Sequence, residues 1–377
     1  MAQRTAAEFR PDLGAPLSEV ETPALVVDVD VMERNVRDFA DFAAEHDVRL
    51  RSHVKTHKNA AIAHLQDRVT DGGGVTVQTL GEAEVMADNG IDDVFLSYEV
   101  VGDRKLARLV RLSERLEAFA TTVDGPANVD ALASAAAARD ATVDAVLEVD
   151  IGYGRTGCRP ADAVDLARRI DDAASLRFRG VMAYEAHVKE VGQSRGEYER
   201  RCEEAMEDVA RVVADLTDAG LDVPEVKVGG TATSKFSGTH PVVTEINPGM
   251  YPFNDVGELR ARPFAVSTAD CAATVVTTVV SRRGDRAVVD AGSKAIARDS
   301  GYAPVAVDGD GVAYERSSEE HGWLDVSDAS SPPEVGDRLR FVPPHVCTTF
   351  NLHDVAVGVS DDRVTDFFPV QARGKVT

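Results

Sequence analysis

From residue 50 to residue 251 the chain alternates short β-like runs with longer amphipathic ones, and this alternation restricts the fold more than any other property of the sequence. Runs rich in apolar and β-branched residues fall at 50–56, 74–79, 93–99, 117–123, 145–150, 178–187, 225–231 and 242–251. Between them, 103–116, 127–140, 160–170 and 197–219 place apolar residues at helical spacing, and Gly90 and Gly220 fall where helix C-caps belong. Such alternation predicts a parallel sheet with crossover helices, and eight strands predict closure into an α/β fold of the (β/α)8 TIM type over about residues 50–255.

Beyond Phe264 the helical periodicity is lost. Runs at 272–281 and 286–290 are β-branched and broken by Gly-Asp and Pro-Pro turns, which predicts a second, mostly β C-terminal domain joined by the segment 19–30. The expected division is a barrel over 22–262 and a β domain over 263–377 together with 1–21.

Charge narrows the partners. A net charge of −23 argues against nucleic acid or an anionic membrane surface, because both are captured by clustered Lys and Arg. Only eight of the 41 basic residues are lysine, and short acidic runs recur on expected helix surfaces, a balance resembling halophilic, salt-adapted proteins. No run of eighteen uncharged apolar residues occurs and the first sixteen residues lack a signal-peptide pattern, so a cytoplasmic protein is expected. Cys158, Cys202, Cys271 and Cys347 form no CxxC pair, which speaks against a disulfide framework or a zinc ribbon.

Barrel enzymes carry their chemistry where the strands end, and six strand ends here, Gln78-Thr79 among them, are polar or glycine-rich. RSHVKTHK at 51–58 sets Lys55 at the end of the first run, where an amine can form a Schiff base. Lys58, farther along, reads as the more ordinary lysine. DIGYGRTG at 150–157 contains Arg155, YEAH at 184–187 contains Tyr184 and His187, and NPGMY at 247–251 contains Asn247 and Gly249. Gly229, Gly230, Thr231 and Thr233 supply backbone N–H groups and hydroxyls where a strand opens into a loop, a composition able to cradle a phosphate. Near the other end, His345 and Cys347 stand at i and i+2. On an extended segment those side chains share a face, and an imidazole with a thiolate favours zinc over manganese or magnesium.

These motifs, with ETPALVVD at 21–28 and DAGSK at 290–294, resemble the fold-type III pyridoxal-phosphate enzymes with an alanine-racemase-like barrel. Within them they are similar to the D-threonine aldolase and D-serine dehydratase branch. The resemblance implies pyridoxal 5'-phosphate as cofactor, Lys55 as its Schiff-base lysine and Arg155 on the phenolic-oxygen side of its ring. It also implies a phosphate site of Gly229, Gly230, Thr231 and Thr233 with Gly249, Met250 and Tyr251. Asn247 stands where alanine racemases carry an arginine facing the pyridine nitrogen, which makes the ring a stronger electron sink. Tyr184, His187 and His321 are implied to line the substrate side, the two histidines as acid–base candidates, and His345 and Cys347 to hold the divalent metal. A homodimer acting on a small D-amino acid is implied as well. The HxC pair resembles the dehydratases and the flanking TFNLHD the aldolases. Zinc as acid for a departing hydroxide puts dehydration of a D-3-hydroxy-α-amino acid such as D-serine, D-threonine or 3-hydroxyaspartate first. Retro-aldol cleavage to glycine and an aldehyde is the alternative, with racemisation or a non-catalytic cofactor carrier behind them.

The charge balance yields a solution test. Self-repulsion is screened as the Debye length falls to ~3 Å near 1 M salt, so denaturant unfolding midpoints are expected to rise with sodium chloride toward molar concentrations. A midpoint that is flat or falling with salt contradicts the salt-adapted reading.

Overall fold

The computed structural model describes residues 11–189 and 193–377, which gather into two compact units. One comprises the described residues of 37–249 with 372–377; the other comprises 11–36 and 250–371. Residues 22–36 and 250–262 therefore pack with the β-rich unit, and the last six residues pack with the barrel.

In the barrel unit the strand at 49–53 is split at Arg51 into Arg49–Leu50 and Ser52–His53. The first piece pairs with Glu245–Ile246 and the second with Val75–Val77, so one strand joins the two ends of the sheet. Between those neighbours run Asp93–Leu96, Ala118–Val123, Val143–Val149, Leu176–Ala183 and Glu225–Val228, each parallel to the next. All eight expected strands are present and the barrel is closed. Its strands are buried on both faces, as a parallel sheet under helices must be.

The helices follow their sequence signals. Asn59 caps Ala60–Val69 by accepting from the Ile62 N–H at 2.8 Å, Thr79 caps Leu80–Asp88, and Ser194 caps Arg195–Asp218. Gly90 and Gly220 take positive φ just past their helices, as expected of C-cap glycines. Most of the strands prove shorter than their apolar runs, two of them notably. The run 178–187 ends as a strand at Ala183 and turns into the short 3-10 helix Ala186–Val188, and 242–251 contributes only Glu245–Ile246.

Toward the N-terminal ends of the barrel strands lies a buried ionic layer. Arg51 Nε lies 3.1 Å from Glu245 Oε2 and Arg51 Nη1 2.6 Å from Asp93 Oδ1, while Lys227 Nζ lies 2.9 Å from Glu245 Oε1. Burial opposes ionisation of Glu245, but Arg51 and Lys227 outweigh it and hold the carboxyl down at about 2. Gly74 makes room for this layer, since a Cβ there would stand 2.5 Å from Arg51 Nη1.

In the β-rich unit, Ala24–Asp28 runs antiparallel to Ala273–Arg283 and parallel to Val355–Ser360, whose other neighbour is Arg363–Pro369. Arg286–Val289, Gly322–Asp325, Ala313–Ser317, Val305–Ala306 and Arg338–Val342 follow one another, and Ala273–Arg283 pairs with both the first and the last of them. That double pairing closes an antiparallel barrel. Among the described residues no helix is long and apolar enough to cross a membrane.

Removing Glu245 tests the ionic layer. Glu245→Ala leaves Arg51 and Lys227 buried without their shared carboxylate and is expected to lower stability by about 3–5 kcal/mol in denaturant unfolding. A loss within error of zero contradicts the assigned role.

Candidate active site

Because the barrel strands are parallel, their C-terminal exits gather at one end, and most of the residues singled out in the sequence stand there. Lys55 lies in the 3-10 turn Val54–Thr56 directly after Ser52–His53, half-buried, with Nζ 2.9 Å from Gln78 Oε1. Gln78, at the next exit, also meets His53 Nε2 at 3.2 Å and is oriented by its own Nε2, which donates to the Ser97 carbonyl at 2.7 Å. Burial first, and then the Lys55 charge, push the His53 imidazole well below its ordinary range, so it is neutral. His57 belongs elsewhere: its Nε2 meets Gln66, its Nδ1 accepts from the Asn59 N–H, and burial lowers it to about 4.

Lys58 corrects the sequence reading. It is buried, takes φ +52, and pairs with Glu82 Oε1 at 3.4 Å, because the chain turns inward to reach the helix Ala60–Val69.

Arg155 lies over the Tyr184 ring, 5.0 Å from its centroid, and 5.4 Å from that of Tyr153. Burial pushes the Tyr184 phenol up to about 12, so it stays protonated. A Cβ on Gly230 would sit 3.1 Å from the Tyr184 ring, so that glycine admits the aromatic. Gly229 takes φ +100, and Thr231 and Thr233 are buried. The loop is anchored by Glu185, a residue the sequence reading passed over. Its Oε2 accepts from the Gly229 N–H at 3.0 Å and its Oε1 from the Ser237 hydroxyl at 2.8 Å, and burial raises its pKa. Only its place between Tyr184 and His187 marked it in the sequence. His187 lies against Gly152, whose added Cβ would be 3.5 Å from Nε2, and its Nδ1 is buried with no partner among the described residues.

Asn247 follows the last strand. Its Nδ2 donates to Glu245 Oε1 at 2.9 Å, and an ionised carboxylate accepts only, so the amide orientation is fixed with Oδ1 pointing elsewhere. Oδ1 is buried with no donor among the described residues. Gly249 sits tight against the His53 carbonyl, 3.0 Å from where a Cβ would be, and closes the barrel unit. Met250, half-buried, and Tyr251, buried, open the 250–371 stretch of the other unit.

In that β-rich unit, His345 and Cys347 meet, though not as sequence spacing suggested. His345 is the extended N-cap of the short helix Val346–Phe350, so the pair does not share a strand face. The ring reaches Cys347 by a side-chain hydrogen bond, which heads the causes, ahead of Asp299, that raise His345 to about 9. Asp299 Oδ2 lies 2.6 Å from His345 Nδ1 and accepts from Thr348 as well. This carboxylate, unmarked in the sequence, fixes the ring with Nε2 turned away from it, an arrangement suited to a metal-binding histidine. No third His, Cys, Asp or Glu ligand gathers with the pair among the described residues. His321 is exposed in the turn between Ala313–Ser317 and Gly322–Asp325, where its carbonyl accepts from the Ser318 N–H. The other three cysteines are buried.

A closed parallel barrel with a lysine just past its first strand, an anchored glycine loop after the seventh and an orphan acceptor after the eighth fits pyridoxal phosphate. The orphan Asn247 Oδ1 awaits a donor such as a protonated ring nitrogen. The comparisons agree with this class. The alanine racemase N-terminal domain model matches residues 27–255, and the putative serine dehydratase domain model matches 272–359. The chain is 35% identical to a D-threonine aldolase of Arthrobacter sp over 96% of its length and 95% of that protein's. It is 34% identical to a 3-hydroxy-D-aspartate aldolase of Paracoccus denitrificans over 96% and 94%. The crystal structure of D-threonine aldolase from Filomicrobium marinum superposes with a TM-score of 0.92 at 39% identity, covering 97% of this chain and 99% of that one. D-threo-3-hydroxyaspartate dehydratase from Delftia sp. HT23 gives 0.85 at 27%, covering 94% and 98%. Alanine variants of such a dehydratase, one at a histidine and one at a cysteine two positions later, are also solved, the cysteine variant in a metal-free form. This chain belongs to the alanine racemase N-terminal domain family and is a pyridoxal-phosphate-dependent lyase.

The Glu185 anchor generates a test. Glu185→Ala orphans the Gly229 N–H and the Ser237 hydroxyl inside the protein, at an expected cost of about 1–3 kcal/mol for each donor in denaturant unfolding.

Proposed function

We propose that the chain cleaves the Cα–Cβ bond of a D-3-hydroxy-α-amino acid, releasing glycine and an aldehyde. The observation that carries the lyase chemistry is the Asn247 amide, locked by Glu245 so that it presents an acceptor. When bound, pyridoxal phosphate supplies an electron sink for the charge that develops at the substrate α-carbon. Lys55 would hold the cofactor's aldehyde carbon, the Gly229–Thr233 loop its phosphate, and Arg155 the oxygen on its ring. Asn247 Oδ1 would accept a hydrogen bond from a protonated ring nitrogen and so favour the sink, where an arginine would repel that proton. Burial lowers the pKa of His187 against the opposing charges of Glu185 and Asp150, leaving a neutral imidazole as the acid–base candidate for the substrate hydroxyl. His345, through Nε2, and Cys347 would hold a divalent cation, zinc by ligand type, which supplies a Lewis acid.

Cleavage is placed ahead of elimination because the aldolase relatives match more of the chain at higher identity than the dehydratase structures do. The second reading is dehydration to a 2-oxo acid and ammonia. It is favoured by the His345-x-Cys347 spacing, which the histidine and cysteine substituted in the dehydratase variants share.

Product analysis separates the two. D-Threonine is expected to give glycine and acetaldehyde, with no turnover of the L form. Ammonia and a 2-oxo acid from D-threonine or D-serine would transfer the assignment to dehydration, and no turnover of any D-3-hydroxy amino acid would remove both. Lys55→Ala is expected to abolish the bound-cofactor absorbance and all turnover. Lys58→Ala, which deprives buried Glu82 of its lysine, is expected to keep the cofactor but lose stability.

A further inference from the structure

Glu148, near the end of Val143–Val149, is buried, and its Oε1 accepts from the Thr156 hydroxyl at 2.8 Å. The same oxygen stands 3.9 Å from Arg155 Nη2, too far for a hydrogen bond, while the guanidinium lies over Tyr184. Glu99, three residues past Asp93–Leu96, brings its carboxyl into hydrogen-bond contact with that of Glu148. Counted as ionised, both groups accept only, and Glu99 Oε1 is then left buried without a donor among the described residues. A single proton between the two carboxyls supplies that donor and removes the repulsion of like charges in contact.

The groups facing this pair do not supply the donor. Asp124, after Ala118–Val123, is occupied as an acceptor by the Gly157 N–H at 3.1 Å and by Asn128. Its charge opposes ionisation of Glu99. Burial above all, and then Asp162, Asp124 and Glu148, raise the thiol of Cys158 to about 12. Arg155 is the facing cation, on the 150–157 loop.

We propose that Glu99 is a positioning residue: protonated, it limits the Glu99–Glu148 pair to one negative charge and so leaves the Arg155 guanidinium over Tyr184 instead of drawn into contact with Glu148. The consequence for the cofactor rests on the reading of Arg155 as a cofactor contact; the shared proton does not. Burial, followed by the hydrogen bond and charge of Glu148, raises the Glu99 carboxyl from 4.5 to about 8, so the proton is held at neutral pH. The folded chain binds that proton more tightly than the unfolded one. The stability it confers is therefore complete below the ordinary carboxyl range and falls as pH rises toward about 8.

The test compares wild type with Glu99→Gln, which keeps a hydrogen-bonding group without the titration. In denaturant unfolding of the full chain stripped of cofactor, the folding constant of wild type relative to the variant is expected to fall about tenfold per pH unit between pH 5 and 8. Parallel pH dependences would overturn the shared proton. In the second arm, wild type is expected to bind pyridoxal phosphate several-fold more weakly at pH 9 than at pH 7, and Glu99→Gln to lose less. Equal losses would overturn the coupling to Arg155. Should Glu99→Gln fail to fold, infrared spectra of wild type decide: a carboxylic-acid carbonyl band at neutral pH that is lost on alkalinisation supports the pair, and its absence overturns it. The Lys55→Ala spectrum tests the cofactor reading separately.

Discussion

The barrel depends on how Arg51 is held. Its strand changes neighbours at that residue, pairing through Arg49–Leu50 with the last strand and through Ser52–His53 with the second. Each pairing is only two residues long, so the ladder contributes little at the seam. Arg51 spans it, bonded to Glu245 on the last strand and to Asp93 on the third. A buried guanidinium with a single partner would be costly, and here the two carboxylates and Lys227 complete a network in which each charge is met. The strand exits, and every side chain mounted on them, inherit their positions from that closure.

The same network reaches the candidate site through Glu245. One of its oxygens holds both Lys227 and the Asn247 amide, so the ionic layer at one level of the strand orients a neutral amide at its exit. A structural ion network thereby decides which atom of Asn247 is presented as an acceptor. Glu185 acts in a comparable way on the glycine loop, spending both carboxyl oxygens on a backbone N–H and a hydroxyl. In both places a buried carboxylate sets the direction of a group that would otherwise rotate or flip.

Charge near Arg155 is handled differently. The guanidinium stacks on aromatic rings and stays out of hydrogen-bonding reach of Glu148, while the surface arginines of the helices pair directly with neighbouring acids, as Arg169 does with Asp130. An arginine meant to stabilise the fold is neutralised by its partner. One left with a distant carboxylate keeps charge for a ligand.

The sequence by itself determined the architecture and marked the strand exits at which the candidate residues stand. Eight alternating runs specify a parallel barrel because side-chain periodicity is a local property, and Lys55, Arg155, Gly229 and Asn247 are legible because exits of parallel strands must converge. Only the tertiary structure decided what surrounds them. Glu185, Asp299 and Glu99 carry no local signal, since an acidic residue in an acidic chain reads as surface until its partners are known. Lys58 looked like the ordinary lysine of its run and proved buried, because burial depends on where Glu82 packs. The spacing of His345 and Cys347 suggested a shared strand face, yet they meet at a helix start, where the N-cap geometry and Asp299 orient the ring. Periodicity is written along the chain; the partner of a buried charge is chosen by residues distant in sequence.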